Sequence, residues 1–537
     1  MGSAVEPAGL TTGDIQREIR DVARRHERRR RLAPRAALVG ILAGLLAAAF
    51  RLTLAACDRG RDAFFRFAHT LPAPLGFSLA VGACGLAAGS ALWLVRRFAP
   101  ETAGSGIPHV KAVLHRLRGM KWRRVLLVKY ASGTLGLGAG LALGREGPTV
   151  QMGGAVGQMV SRWLRSRARE RNTLVAAGAG AGLAAAFNAP LAGVIFVLEE
   201  LRRDFAPGAL TAAFIASVSA DVVARLLLGQ QPVLRVAGSP VPPLASLPLF
   251  LVLGLVAGLL GVAFNRSLLA SLRLFERASC WPLGLPAAGV GIGIGAIGWF
   301  APQLLGGGGS LVETTLTAQG SLTLLFGFLL MRFVMTMLSY GTGTAGGIFA
   351  PLLVIGAQAG LLIGLLGHAV WAGAVGSPAT FAVVGMGALF AAIVRAPLTG
   401  IVLILEMTEN YQLMLPLLLA CFSAYALADL LREEPIYEAL LERDLLRASR
   451  TREEPDETLL LELKIEEDAP FDGRRVGELG LPPGCLLVTV HRGSHSEVPT
   501  RDTVLRSGDR IAAVVAPTAA DAVVLLRHGA EKRGRPP

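Results

Sequence analysis

The sequence predicts an all-α polytopic membrane protein made of two related halves, followed by a small α+β domain. Long apolar runs, an internal repeat among them, and an abrupt change of composition near the C-terminus carry that expectation. The chain of 537 residues is 52% hydrophobic and 17% charged, with a mean hydropathy of +0.52. A soluble globular protein carries roughly 25% charged residues, so the balance is that of a membrane protein. A helical crossing needs on the order of 20 mostly apolar residues. Runs of this kind include "AALVGILAGLLAAAF" (36–50), "LGFSLAVGACGLAAGSALWLV" (75–95), "LPLFLVLGLVAGLLGVAF" (247–264) and "LMLPLLLACFSAYALADLL" (413–431).

The net charge of +14 does not indicate a nucleic-acid partner, because the basic residues sit in short segments flanking apolar ones. "RRHERRRRLAPR" (24–35) abuts the first run, and "HRLRGMKWRR" (115–124) and "SRWLRSRARER" (161–171) lie between later ones. That pattern places the N-terminus in the cytoplasm. The first 35 residues are polar, so no cleavable signal peptide is expected. Cys57, Cys84, Cys280, Cys421 and Cys485 are scattered singly. They form no disulfide or zinc pattern and read as packing residues. No metal or cofactor is indicated.

Three zones follow along the chain. Residues 1–35 form a basic lead-in with some helical character, and residues 36–440 form the membrane zone. From about 455 to 530 the composition turns soluble. There "LLLELKI", "CLLVTVHR" and "RIAAVVAP" read as short strands, and "TAADAVVLLRHG" (518–529) as a helix. Within the membrane zone, "FNAPLAGVIFVLEE" (187–200) aligns without a gap on "VRAPLTGIVLILEM" (394–407). Likewise "GREGPTVQMGGAVG" (144–157) corresponds to "GIFAPLLVIGAQAG" (347–360), which divides the zone into halves of roughly 36–230 and 246–440. Two such halves are a transporter signature, with the binding site where broken helices meet. Helices broken at membrane depth are tolerated only inside protein or along an aqueous cavity.

Three interrupted segments share one grammar, glycines followed by a proline that opens a helix: "GSGIPHV" (104–110), "GREGPTV" (144–150) and "GTGTAGGIFAP" (341–351). Proline suits the first helical turn, and glycine lets the backbone turn sharply. A helix start offers unpaired N–H groups and the positive end of the dipole, which attract an anion. Three converging starts would bind an anion through partial charges alone. A full Lys or Arg charge at low dielectric would hold it too firmly for release. Glu146 stands out as a carboxylate in such surroundings, where a functional role is the default. A structural Arg145–Glu146 partnership is the plainer alternative.

These motifs, in this order, resemble the CLC family of chloride channels and proton/chloride exchangers over roughly residues 36–440. The resemblance implies a homodimer, a pore in each subunit, two inverted halves per subunit, and chloride and protons as substrates rather than an enzymatic reaction. Ser105 matches the hydroxyl donor at the family's central chloride site, and Tyr437 matches the tyrosine that meets the same ion from the other side. The backbone amides of Ile348 and Phe349 match those completing the site. Glu146 matches the gating glutamate, and Glu200 the internal proton-accepting glutamate. The function so implied is proton-coupled chloride antiport in a bacterial inner membrane, with both termini cytoplasmic. A passive, gated chloride channel of the same fold is the alternative, and an acid at position 200 separates the two.

Ionised, Glu146 is itself an anion and can occupy the dipole-lined site in place of chloride; protonated, it should swing out. Glu199 aligns with Glu406 across the repeat, which suggests a shared structural role. Lys129 is expected to set local potential without touching the ion. Where many exchangers of the family carry acids after "GSGIP", this chain has His109 and Lys111. That departure changes charge near the cytoplasmic loops and leaves the ion site itself untouched. Serine in "GSGIP" resembles the chloride-selective members, and the intact "GREGP" differs from the fluoride-exporting branch. A different class, an intramembrane serine hydrolase, would need His368 as the base for Ser105.

The tail stretch from "FDGRRVGELGLPPG" to "SGDRIAAVVAP" (471–517) resembles the TrkA/RCK C-terminal domain of potassium-transport regulators. Such domains dimerise and sometimes bind small ligands, so the resemblance implies a regulatory or dimer-stabilising module.

Overall fold

A computed structural model describes residues 12–204, 206–230, 234, 242–277, 281–316, 321–373, 375–450, 459–492, 495–516, 519 and 521–530. Cys280, the first eleven residues of the basic lead-in and residues 455–458 of the tail lie outside them. Among the described residues, seven helices are long and apolar enough to cross a membrane: Leu32–His69, Ala73–Phe98, Pro207–Leu228, Leu244–Arg277, Leu322–Gly341, Phe349–Val370 and Tyr411–Leu430. Shorter apolar helices, among them Pro378–Val394 and Pro397–Thr408, lie between them. The helix holding the first crossing is Thr12–His69, so the described part of the lead-in continues into it without a break.

Lipid is as apolar as leucine, so helices in a bilayer associate through close backbone packing at small residues. The two halves use the same joint. In the first, the helices Glu146–Trp163 and Ala168–Phe187 approach so closely that a Cβ on Gly153 would collide with the Gly178 carbonyl oxygen. In the second, Phe349–Val370 and Pro378–Val394 meet at Gly356 and Gly385, where a Cβ on Gly356 would lie 2.5 Å from the Gly385 oxygen.

The repeated segments also clasp each other. Glu199 accepts hydrogen bonds from the amides of Leu398 (3.1 Å) and Thr399 (2.7 Å), at the start of the helix Pro397–Thr408. Glu406 accepts from Leu191 (3.0 Å) and Ala192 (2.7 Å), at the start of Pro190–Phe196. Each carboxylate thus satisfies orphan amides of the other half's helix and sits at the favourable end of its dipole. This reciprocal exchange is the shared structural role expected of the pair, and the fold is a helical membrane protein with an inverted repeat.

The tail folds as a four-stranded antiparallel sheet in the order β1-β4-β2-β3, with strands β1 (Leu459–Lys464), β2 (Cys485–Arg492), β3 (His495–Glu497) and β4 (Arg510–Val515). The three expected strands are present. β3 is an addition, too short for its alternation to register in the sequence. The helix Asp521–Ala530 closes the core through Leu526, which packs with Leu461, Val490 and Ile511. The same cluster includes Ala112, Leu117 and Leu441. The tail is therefore packed onto the far end of the helix that "GSGIP" opens.

Candidate anion and proton site

The three glycine-proline segments come together, stitched by their own backbones. Gly144 and Gly347 exchange two hydrogen bonds of 2.7 Å each. Gly104 donates to the Thr344 carbonyl (3.2 Å) and accepts from the Gly346 amide (3.0 Å). From this junction start the helices Ile107–Leu114, Glu146–Trp163 and Phe349–Val370. Gly106, at φ +80°, makes the turn into the first of them, and a Cβ there would drive into Gln151. Gly147 is needed for closeness: its Cβ would fall 2.6 Å from Ser105 Oγ and 3.1 Å from Gly347 Cα. The convergence expected from the sequence is a contact between backbones that side chains would prevent.

Ser105, Ile348, Phe349 and Tyr437 are all fully buried. Ile348 caps and Phe349 opens the third helix, and the Tyr437 ring stacks on Phe349 with centroids 6.3 Å apart. The Tyr437 hydroxyl faces the Ser105 side chain, and neither oxygen has a partner within hydrogen-bond distance among the described residues. A buried hydroxyl left unpaired costs about 1–3 kcal/mol. Two such donors beside a helix start are the chemistry that an anion accepts. The Ser105 amide donates to Tyr340 Oη at 3.4 Å, a buried partner that the sequence did not single out.

Glu146 is the first residue of its helix and 3% exposed. The amides of Glu146 itself and of Ala350 face its carboxylate, and Oε2 has no partner within hydrogen-bond distance among the described residues. Arg145 approaches only to 3.9 Å, from a part-exposed position. The carboxylate therefore faces both the helix-start amides and the Arg145 charge. Lys129 is buried and spends its ammonium on the carbonyls of Thr102 (2.9 Å) and Gly104 (2.7 Å). It braces the loop that carries Ser105.

Glu200 lies in a π-helical stretch, Val197–Arg202, and is 1% exposed. Single π turns inside α-helices recur at functional sites. An ordinary solvated helix end is excluded by that burial. Its carboxylate accepts from Lys111 Nζ at 2.7 Å, and the same ammonium reaches Glu438 at 2.7 Å. In the sequence, Lys111 signals only a change of charge near the loops. The structure makes it the direct partner of Glu200, 89 positions away in the chain. Nothing in the linear spacing signals that pairing. His109 is also buried and meets Gln151 at 3.0 Å.

The hydrolase alternative fails on distance. Ser105 sits beside the start of the helix Phe349–Val370, whereas His368 is in its last turn and faces the Val375 carbonyl. At about 1.5 Å per residue those ends are roughly 28 Å apart.

The chain matches the voltage gated chloride channel family over residues 84–429. It belongs to that family. The match holds Ser105, Glu146, Glu200, Ile348 and Phe349 and stops short of Tyr437. The tail matches the TrkA-C domain over residues 460–526. The chain is 42% identical over 419 residues to the H(+)/Cl(-) exchange transporter ClcA of Vibrio parahaemolyticus, covering 76% of this chain and 89% of that one. It is 41% identical to the transporter of the same name in Salmonella typhi, covering 77% and 88%. Among solved structures, a slow cyanobacterial Cl-/H+ antiporter aligns with a TM-score of 0.75 at 37% identity, over 78% of this chain and 98% of that one. A eukaryotic CLC transporter aligns with a TM-score of 0.67 at 23% identity, over 77% of this chain and 74% of that one, and supports the fold alone.

Proposed function

We infer that the protein is a proton-coupled chloride antiporter of a bacterial inner membrane. The observation that carries this reading is the junction itself: three helix starts, two buried hydroxyls with no hydrogen-bond partner among the described residues and one buried carboxylate converge beside Lys129, whose ammonium is held by the Thr102 and Gly104 carbonyls. Partial charges bind an anion and let it go. Ser105 Oγ, Tyr437 Oη and the amides of Ile348 and Phe349 would hold chloride. Glu146, leaning on the same kind of amides, competes with it when ionised. Proton binding to Glu146 cancels that competition and admits chloride, so the two fluxes are tied.

Glu200 would take protons from the opposite side. Side chains do not bridge it to Glu146 among the described contacts, so water would carry the intervening step. Its burial beside a cation also favours exchange over a passive channel of the same fold. The protein would work as a homodimer with both termini cytoplasmic, and the tail as a regulatory or dimer-stabilising module with a small-molecule ligand.

The test is flux in liposomes holding the purified protein. A chloride gradient should drive protons uphill against a pH gradient. Chloride flux without uphill proton movement would identify a channel.

A further inference from the structure

Below the anion junction, a chain of charges runs from Glu200 to the tail domain. The Lys111 ammonium, 1% exposed, is shared between Glu200 and Glu438 at 2.7 Å each. Glu438 also takes Arg203 at 3.1 Å and, on its other oxygen, Arg527 at 4.0 Å. Arg527 belongs to the tail helix Asp521–Ala530, whose His528 meets Glu442 at 3.1 Å. Lys111 stands on the helix Ile107–Leu114, and Glu438 follows Tyr437. The charged and titratable groups around Glu200 are therefore Lys111, Arg203 and Glu438, with Tyr437 adjacent. His115, at the end of the Lys111 helix, faces Lys111, Glu438, Arg203 and Arg527.

We propose that Lys111 is a positioning residue for proton transfer, a latch that holds Glu200 as a fixed carboxylate and that the tail domain tunes through Arg527 and Glu438. This rests on the reading of Glu200 as the internal proton acceptor. Protonation of Glu200 weakens its hold on the Lys111 ammonium. Glu438, already bound to the same ammonium, is where it goes. The strength of the latch depends on how much Glu438 is satisfied by other cations. Arg203 and Arg527 neutralise Glu438 and leave Lys111 to Glu200.

The sign of each change follows from charge alone. Lys111→Met removes the counter-charge, so Glu200 takes protons more readily. The pH of half-maximal proton-coupled flux should rise by about one unit, a roughly tenfold change in proton affinity, the low end for loss of an adjacent opposite charge. Glu438→Gln removes the competing carboxylate and tightens Lys111 on Glu200, so the midpoint should fall. Arg527→Gln should move it up by a smaller amount, and Lys111→Arg should stay near the parent.

The experiment is the pH profile of chloride-driven proton flux for the full-length parent, these four variants and Glu200→Gln in liposomes. Opposite shifts for the Lys111→Met and Glu438→Gln proteins establish the latch, and packing loss would not produce opposite signs. Should Lys111→Met not fold, the opposed shifts of Glu438→Gln and Arg527→Gln decide it. Unchanged or like-signed shifts overturn it. If Glu200→Gln abolishes proton flux while the other profiles coincide, the latch alone fails. If Glu200→Gln retains full coupling, the role given to Glu200 fails and the latch with it.

Discussion

The two halves of the membrane domain occupy equivalent scaffolds and differ at the residues proposed to carry protons. The helix that opens after Gly144-Arg145 begins with Glu146, whereas its counterpart in the second half begins with Phe349. Past the caps Glu199 and Glu406, the first half continues with Glu200 and the second with Met407. The caps themselves are kept, as are the Gly153–Gly178 and Gly356–Gly385 joints. Duplication thus supplied the architecture twice, while the buried acids Glu146 and Glu200 stand in the first half and are replaced by Phe349 and Met407 in the second. An anion site made of helix starts needs both halves. A proton path needs acids in one.

That contrast is broken most sharply at Glu146. Glu146→Ala should keep chloride flux while proton coupling falls by more than about tenfold, read as paired flux in liposomes; retained coupling would mean that the half-specific acid is incidental. Glu200→Gln should lower proton flux preferentially, with chloride movement less affected. The shared positions should behave differently, and alike. Glu199→Ala and Glu406→Ala each remove a charged acceptor from two amides, at about 1.5–3 kcal/mol per bond before relaxation and water offset part of it. Thermal unfolding in detergent should show similar losses for both. A large loss for one alone would deny the structural equivalence of the halves.

The smallest effect belongs to the tail. Arg492 grips Asp509 at 2.9 and 2.6 Å, and the Arg506 amide donates at 2.9 Å. Burial works against the Asp509 charge, but these donors outweigh it and hold the carboxyl below its ordinary range. A depressed folded value contributes stability above the unfolded value near ~3.9, and that stability is lost as pH falls through the folded one. Asp509→Asn should therefore weaken the tail at neutral pH by roughly 1 kcal/mol, with the difference closing below about pH 4. Hydrogen exchange of strands β2 and β4 in the full-length protein reads it.

Much of this was legible in the sequence because repeats and helix-opening motifs are local. "GREGPTV" and "GIFAPLL" declare their helix starts in a few residues, and the gapless "FNAPLAG"/"VRAPLTG" match exposes the duplication. The equivalence of Glu199 and Glu406 followed from it. What the sequence did not disclose depends on distant segments meeting. Tyr340 lies 235 positions from the Ser105 amide it accepts from, and Lys111 bridges to Glu438 across 327. A buried lysine on a short helix looks in sequence like any loop-side cation, since its meaning comes from the two acids brought to it.

The most direct measurement is bromide location by anomalous diffraction in crystals of the parent and of Glu146→Gln. Bromide should sit between Ser105 Oγ, Tyr437 Oη and the helix start at Ile348–Phe349 in both, with a further bromide where the Glu146 carboxylate had been in the variant alone. Bromide missing from the junction, or the same occupancy in both proteins, would contradict a site built from helix dipoles and contested by that carboxylate.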